Sequence, residues 1–90
     1  MALMADADVD ERLRSLPGWE RDGKVIRRVF SFDSFKDAIA FVNRVAGLAE
    51  AQDHHPDMLV EFRRVTLTLS SHDEGGLTAR DLRLAQAIGS

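Results

Sequence analysis

The stretch Asp57-Met58-Leu59-Val60-Glu61-Phe62-Arg63-Arg64-Val65-Thr66-Leu67-Thr68-Leu69-Ser70 alternates in polarity along most of its length. Met58, Val60 and Phe62 fall on one side, and Leu59, Glu61 and Arg63 on the other. Val65, Leu67 and Leu69 then alternate with Thr66, Thr68 and Ser70. Successive side chains of a strand point to opposite faces, so this period of two marks a half-buried antiparallel hairpin. Arg63-Arg64 is its only candidate turn, although neither residue favours turn geometry. A two-residue turn there pairs Phe62 with Val65, Val60 with Leu67, and Met58 with Leu69. Every apolar pair then shares one face, while Glu61 with Thr66 and Leu59 with Thr68 share the other. A one-residue slip would destroy this segregation. The same register, extended, sets His55 opposite His72, with Cα atoms roughly 4.5–5.5 Å apart if the pairing stays regular.

Upstream, Ser34 and Asp37 have the spacing of a helix capping box. Phe35, Ala38, Ile39, Val42, Val45, Ala46 and Ala49 follow at the spacing of one helical face, with Phe41 and Leu48 widening it. This predicts a helix from Ser34 to Gln52 whose apolar surface exceeds what a small sheet covers, a hint of a partner. Further upstream, Asp22-Gly23 suits a two-residue hairpin loop between Trp19–Arg21 and Lys24–Phe32. Asp8 with Glu11 caps a short first helix carrying Val9, Leu13 and Leu16, and Pro17-Gly18 stops it. Downstream, Gly75-Gly76 breaks the chain, and Thr78 with Asp81 caps a last helix bearing Leu82, Ala85 and Ile88. The expected fold is α+β: a four-stranded antiparallel sheet with three helices, in the order α-β-β-α-β-β-α.

The chain has 90 residues, which suits a single domain over residues 1–90, with residues 1–7 expected to form a flexible tail. With 12 Lys and Arg against 15 Asp and Glu, the net charge of −3 argues against a nucleic-acid or anionic-membrane surface. Hydrophobic content of 44% beside 30% charged residues reads as a globule, not a disordered chain. No apolar run approaches the roughly 18 residues of a membrane span, and Met1–Asp10 lacks the basic start of a secretory signal. The chain has no cysteine, which removes disulfides and thiol chemistry and is compatible with a reducing cytoplasm. A chain of this length buries only roughly 60–65% of its unfolded surface, so self-association is a fair expectation.

The only histidines are His54, His55 and His72. The register brings His55 to His72, His54 adjoins His55, and Pro56 keeps His55 out of the helical region. Stray surface histidines would need no explanation. A metal site would need more: adjacent histidines do not make the usual chelate, though Asp53, Asp57 and Asp73 could add oxygens. Acid–base catalysis is the third reading, because imidazole both gives and takes protons near neutral pH. Asp81 has a plain role as a capping carboxylate, and Glu50 as an exposed residue on a last helical turn.

The run Glu50-Ala51-Gln52-Asp53-His54-His55-Pro56, followed by Ser71-His72-Asp73-Glu74-Gly75-Gly76-Leu77-Thr78-Ala79-Arg80-Asp81, resembles the signature of the pterin-4a-carbinolamine dehydratases. Leu16-Pro17-Gly18-Trp19 and Phe41-Val42-Asn43-Arg44-Val45-Ala46 resemble the family too. Met58, Glu74 and Arg63 depart from it, standing where some members have Trp, Cys, and Asn or Gly. The resemblance implies dehydration of 4a-hydroxytetrahydropterins to quinonoid dihydropterins, in tetrahydrobiopterin recycling, with no cofactor and no metal. It implies that His54 and His72 share the general acid–base work, with the acid and the base not told apart, and that His55 chiefly holds the pterin. Glu50, Pro56, Ser71, Asp73 and Glu74 complete the implied substrate contacts, and Asp81 orients His72. It also implies a cytoplasmic homodimer or homotetramer without nucleic-acid or membrane contact. Animal members double as dimerisation partners, so the alternative function is an interaction module using the central helix.

Overall fold

The computed structural model describes residues 2–89, and its elements follow the expected order. Helix α1 spans Asp6–Leu13, strands β1 and β2 span Glu20–Asp22 and Val25–Ser31, and helix α2 spans Phe35–Gln52. Strands β3 (Asp57–Glu61) and β4 (Arg64–Leu69), a 3-10 turn at His72–Glu74 and helix α3 (Ala79–Ile88) complete the chain. All strand pairs are antiparallel, in the order β1-β2-β4-β3.

The alternation sorts the sheet as its pattern demands. Ile26, Val65, Leu67 and Leu69 lie on the helix-covered face and are fully buried, whereas Val29 and Leu59 flank Thr66 on the other face and are half exposed. Against the inner face pack Val9 of α1, Ala38, Phe41, Val45 and Ala49 of α2, and Leu82, Leu84, Ala85 and Ile88 of α3. Two arginines fasten the far end of α3. Arg44 donates to the Ile88 carbonyl at 2.7 Å and Arg28 to that of Gly89 at 3.2 Å, where the helix leaves carbonyls without partners.

The register of β3 and β4 differs from expectation. Met58 pairs with Leu67 and Val60 with Val65, so Phe62-Arg63 forms the turn, not Arg63-Arg64. Phe62 adopts φ +53, the left-handed region that side chains rarely occupy. The two registers give every residue the same face, so polarity could not separate them. The first hairpin shifts likewise: Asp22 pairs with Val25, and Gly23, at φ +63, opens the turn. A positive φ at the first position of a two-residue loop is what glycine supplies.

Helix α2 begins on Ser34, whose hydroxyl accepts from Asp37 N–H at 3.0 Å. Its buried stripe is rotated from the expected one. Phe41 is buried, with its ring centroid 4.5 Å from that of Phe30 and 5.0 Å from that of Phe32, while Phe35 and Ala46 are left exposed. Helix α1 starts two residues before the expected Asp8 cap, with Ala5 at its N-cap and no side-chain cap. The expected tail is shorter than residues 1–7, since Asp6 and Ala7 are helical and Met4 N–H donates to Leu77 O at 2.8 Å.

Candidate active site

The last turn of α2 delivers the first two histidines to different surroundings. Asp53 takes the left-handed conformation at φ 48, its N–H donates to Glu50 O, and His54 N–H donates to Ala49 O at 3.0 Å. This paired closure is the Schellman arrangement, in which the residue after the left-handed one turns back across the helix end. Asp tolerates the left-handed region better than most residues. His54 is buried as a result, whereas His55 is exposed on the other side of the chain.

His54 Nε2 lies 2.5 Å from Oδ1 of Asp81, a fully buried carboxylate on the first turn of α3. The other oxygen of Asp81 accepts from the Ser71 hydroxyl and from Thr78 N–H, each at 2.9 Å. Ser71 and Thr78 hydroxyls are joined at 2.8 Å, and Thr78 also caps α3 in the expected capping box. An ionised Asp81 oxygen can only accept, so opposite it His54 Nε2 carries the proton of the bond. Sequence reasoning gave Asp81 to His72. The structure gives it to His54, because the left-handed turn at Asp53 sends that ring toward the α3 terminus.

His55 Nε2 pairs with the Glu50 carboxylate across the helix end, both side chains being exposed. Pro56 follows, half-buried, before β3 begins. His72 is exposed and opens the 3-10 turn that follows Ser71. The expected His55–His72 strand pairing is absent, since β3 starts at Asp57 and β4 ends at Leu69. What links the histidine segments is the hydrogen-bond chain His54–Asp81–Ser71, with His72 the next residue along the backbone.

In the same turn, Arg80 donates from Nη2 to both carboxylate oxygens of Asp73, at 2.9 and 3.1 Å. This guanidinium holds the Asp73 carboxyl below the ordinary carboxylate range. Glu74, half-buried beside it, is also engaged. Sequence reasoning did not single out Arg80, which lies seven residues from Asp73 with the Gly75-Gly76 break between them, so no periodic pattern points to the pair. Among the described residues, no group of three His, Asp or Glu side chains is arranged to hold a metal ion. A crevice of about 440 Å³ between Gly18, Glu20, Arg27 and Arg28 touches none of the histidines. Its arginines are already committed, Arg27 to Asp22 and Arg28 to Gly89, so chemistry and not volume locates the site.

The α+β fold thus carries one buried histidine–carboxylate pair and two exposed histidines. The family model described as "Pterin 4 alpha carbinolamine dehydratase" matches residues 2–90, and the chain belongs to that family. A relative from Roseiflexus castenholzii, provisionally named a pterin-4-alpha-carbinolamine dehydratase, is 55% identical over 97% of this chain and 94% of its own. One of the same provisional name from Mycobacteroides abscessus is 49% identical over 98% of this chain and 94% of its own. Among solved structures, a transcriptional coactivator/pterin dehydratase from Brucella melitensis superposes with a TM-score of 0.91. It is 34% identical and covers 96% of this chain and 94% of its own. A pterin dehydratase-like RuBisCO assembly factor of the alpha-carboxysome gives a TM-score of 0.60 at 26% identity, over 81% of this chain and 92% of its own.

Proposed function

We propose that this chain dehydrates 4a-hydroxytetrahydropterins to quinonoid dihydropterins in tetrahydropterin recycling, with its histidines as acid and base. The buried His54–Asp81 pair carries the reading, because a carboxylate fixed behind an imidazole sets its tautomer and stabilises the cation formed on proton uptake. In this mechanism neutral His54 accepts a ring N–H proton of the pterin at Nδ1. The C4a–O bond breaks as the imidazolium of His72, open to solvent, protonates the departing hydroxyl, and water leaves. The electron pair of the ring nitrogen becomes the new C=N bond, so no redox partner enters. His55, oriented by Glu50, holds the substrate with Pro56, Asp73 and Glu74. Both proton transfers use side chains, so the rate is expected to survive chelation.

The test is a dehydratase assay on chemically generated 4a-hydroxytetrahydropterin, corrected for the uncatalysed reaction. His54→Ala and His72→Ala should each lower kcat by roughly 10²-fold or more, and His55→Ala should act mainly on KM. Wild-type protein no faster than background would sink the proposal. The second reading, an interaction module, draws on the exposed Phe35 and Ala46 of α2 and on the coactivator and assembly-factor roles given for the two structural relatives. Histidine variants with unchanged dehydration rates would favour it.

A further inference from the structure

Ser71 has no polar group left over for a ligand. Its N–H donates to Gly76 O at 2.8 Å, and its carbonyl accepts from Glu74 N at 2.9 Å and Gly76 N at 3.3 Å. Its hydroxyl donates to Asp81 Oδ2 at 2.9 Å and meets the Thr78 hydroxyl at 2.8 Å, which leaves Thr78 as the donor of that second bond. The residue is 1% exposed. The hydroxyl proton, one of its two lone pairs, the N–H and the carbonyl are thus engaged inside the protein, and burial closes off the rest.

These bonds reach both proposed catalytic histidines. The backbone of Ser71 bridges Gly76 and closes the loop that presents His72. Its side chain holds the far oxygen of Asp81, whose near oxygen holds His54. A hydroxyl bonded to a carboxylate fixes the rotation of that carboxylate, and an imidazole bonded to it inherits the orientation.

Resting on the dehydratase reading above, we propose that Ser71 is a positioning residue that sets His54 through Asp81 and couples it to the His72 loop, and is not a pterin contact. The experiment compares Ser71→Ala with wild-type protein in steady-state kinetics and in the NMR signal of the His54 Nε2 proton. Ser71→Ala should lower kcat roughly tenfold, part of the roughly 10²-fold or more carried by a positioned base. KM should stay within about twofold, as for a group that binds ground and transition states alike. The His54 proton signal should shift or broaden by exchange. Adding Asp81→Asn to Ser71→Ala should cost less in kcat than Asp81→Asn alone. Ser71→Cys, nearly isosteric with a weaker donor, should move kcat and the proton signal in the same direction and guards against a folding defect in the alanine variant. A raised KM with unchanged kcat, or an unmoved His54 proton, would overturn the proposal. The proton signal is read without substrate, so it judges Ser71 even if the wild-type chain were to show no dehydratase rate.

Discussion

His54 and His55 are neighbours in sequence, yet one is 7% exposed against a buried aspartate and the other faces solvent beside Glu50. Asp81 is therefore more than an end-cap. A solvated cap is worth about 1 kcal/mol, but this carboxylate is fully buried and takes three hydrogen bonds from three different residues. Asp81→Asn turns one acceptor oxygen into a donor amide facing a donor. It should cost about 2–3 kcal/mol, the scale of buried hydrogen bonds to charged groups, and lower kcat as well. Denaturant titration alongside kinetics checks this, and wild-type kcat would leave Asp81 only its capping role. Asp73 makes the opposite case, because it is exposed, although its partner Arg80 is half-buried. Arg80 depresses its folded pKa, so the stabilisation is present above the unfolded value and fades as pH falls through the lower folded one. Carboxyl NMR should show Asp73 titrating below an ordinary aspartate, and Arg80→Gln should return it to the ordinary range. A titration unchanged by Arg80→Gln would refute the pairing as the cause.

The end of α2 governs the site through one backbone angle. Asp53 sits at φ 48, and the chain reversal there is what places His54 inside. Asp53→Gly keeps this conformation accessible and should leave kcat near wild type. Asp53→Val, β-branched, should cost about 1–2 kcal/mol and lower kcat by displacing His54. Equal kinetics in the two variants would show that the turn does not position the ring. The hairpin ends obey the same backbone logic with a different outcome. Gly23 supplies the positive φ of its turn without strain, whereas Phe62 reaches φ +53 with an aromatic side chain that stays 68% exposed beside Arg63. Ser34 and Thr78 marked the starts of α2 and α3, whereas the expected Asp8 cap missed the start of α1, whose N-cap is Ala5. The strand turns moved, because they depend on which residue yields to a positive φ once the inner face is packed.

Across the whole molecule, the helices cover one face of the sheet, and α2 keeps an uncovered flank. Phe35 is 51% exposed, and Ala46 lies in solvent on the same helix. Small size and this flank lead us to expect a homo-oligomer, with α2 or a sheet edge at the interface. Light scattering at micromolar concentration should give a multiple of the 10.0 kDa chain mass, and a monomer would count against that expectation.

Polarity along the chain, with its capping residues and glycines, was sufficient for the element order and for the faces of the sheet. Those signals are local: a period of two or of 3.6 sets which side chains share a face, and Ser34 or Thr78 sets where a helix can start. The motif also named the histidines. What it left open was which partner each one meets. Shifting the β3–β4 register by an even step keeps every side chain on its face, so only the turn at Phe62-Arg63 decides that Val60 meets Val65. Rotation of α2 was likewise decided by Phe41 packing on Phe30 and Phe32, contacts between segments that no single helix encodes. The bond from His54 to Asp81 spans 27 residues and exists because a left-handed residue, a helix N-terminus and a buried serine meet in space. Hydrogen bonding is short-ranged and directional, so assigning these partners required the packed chain.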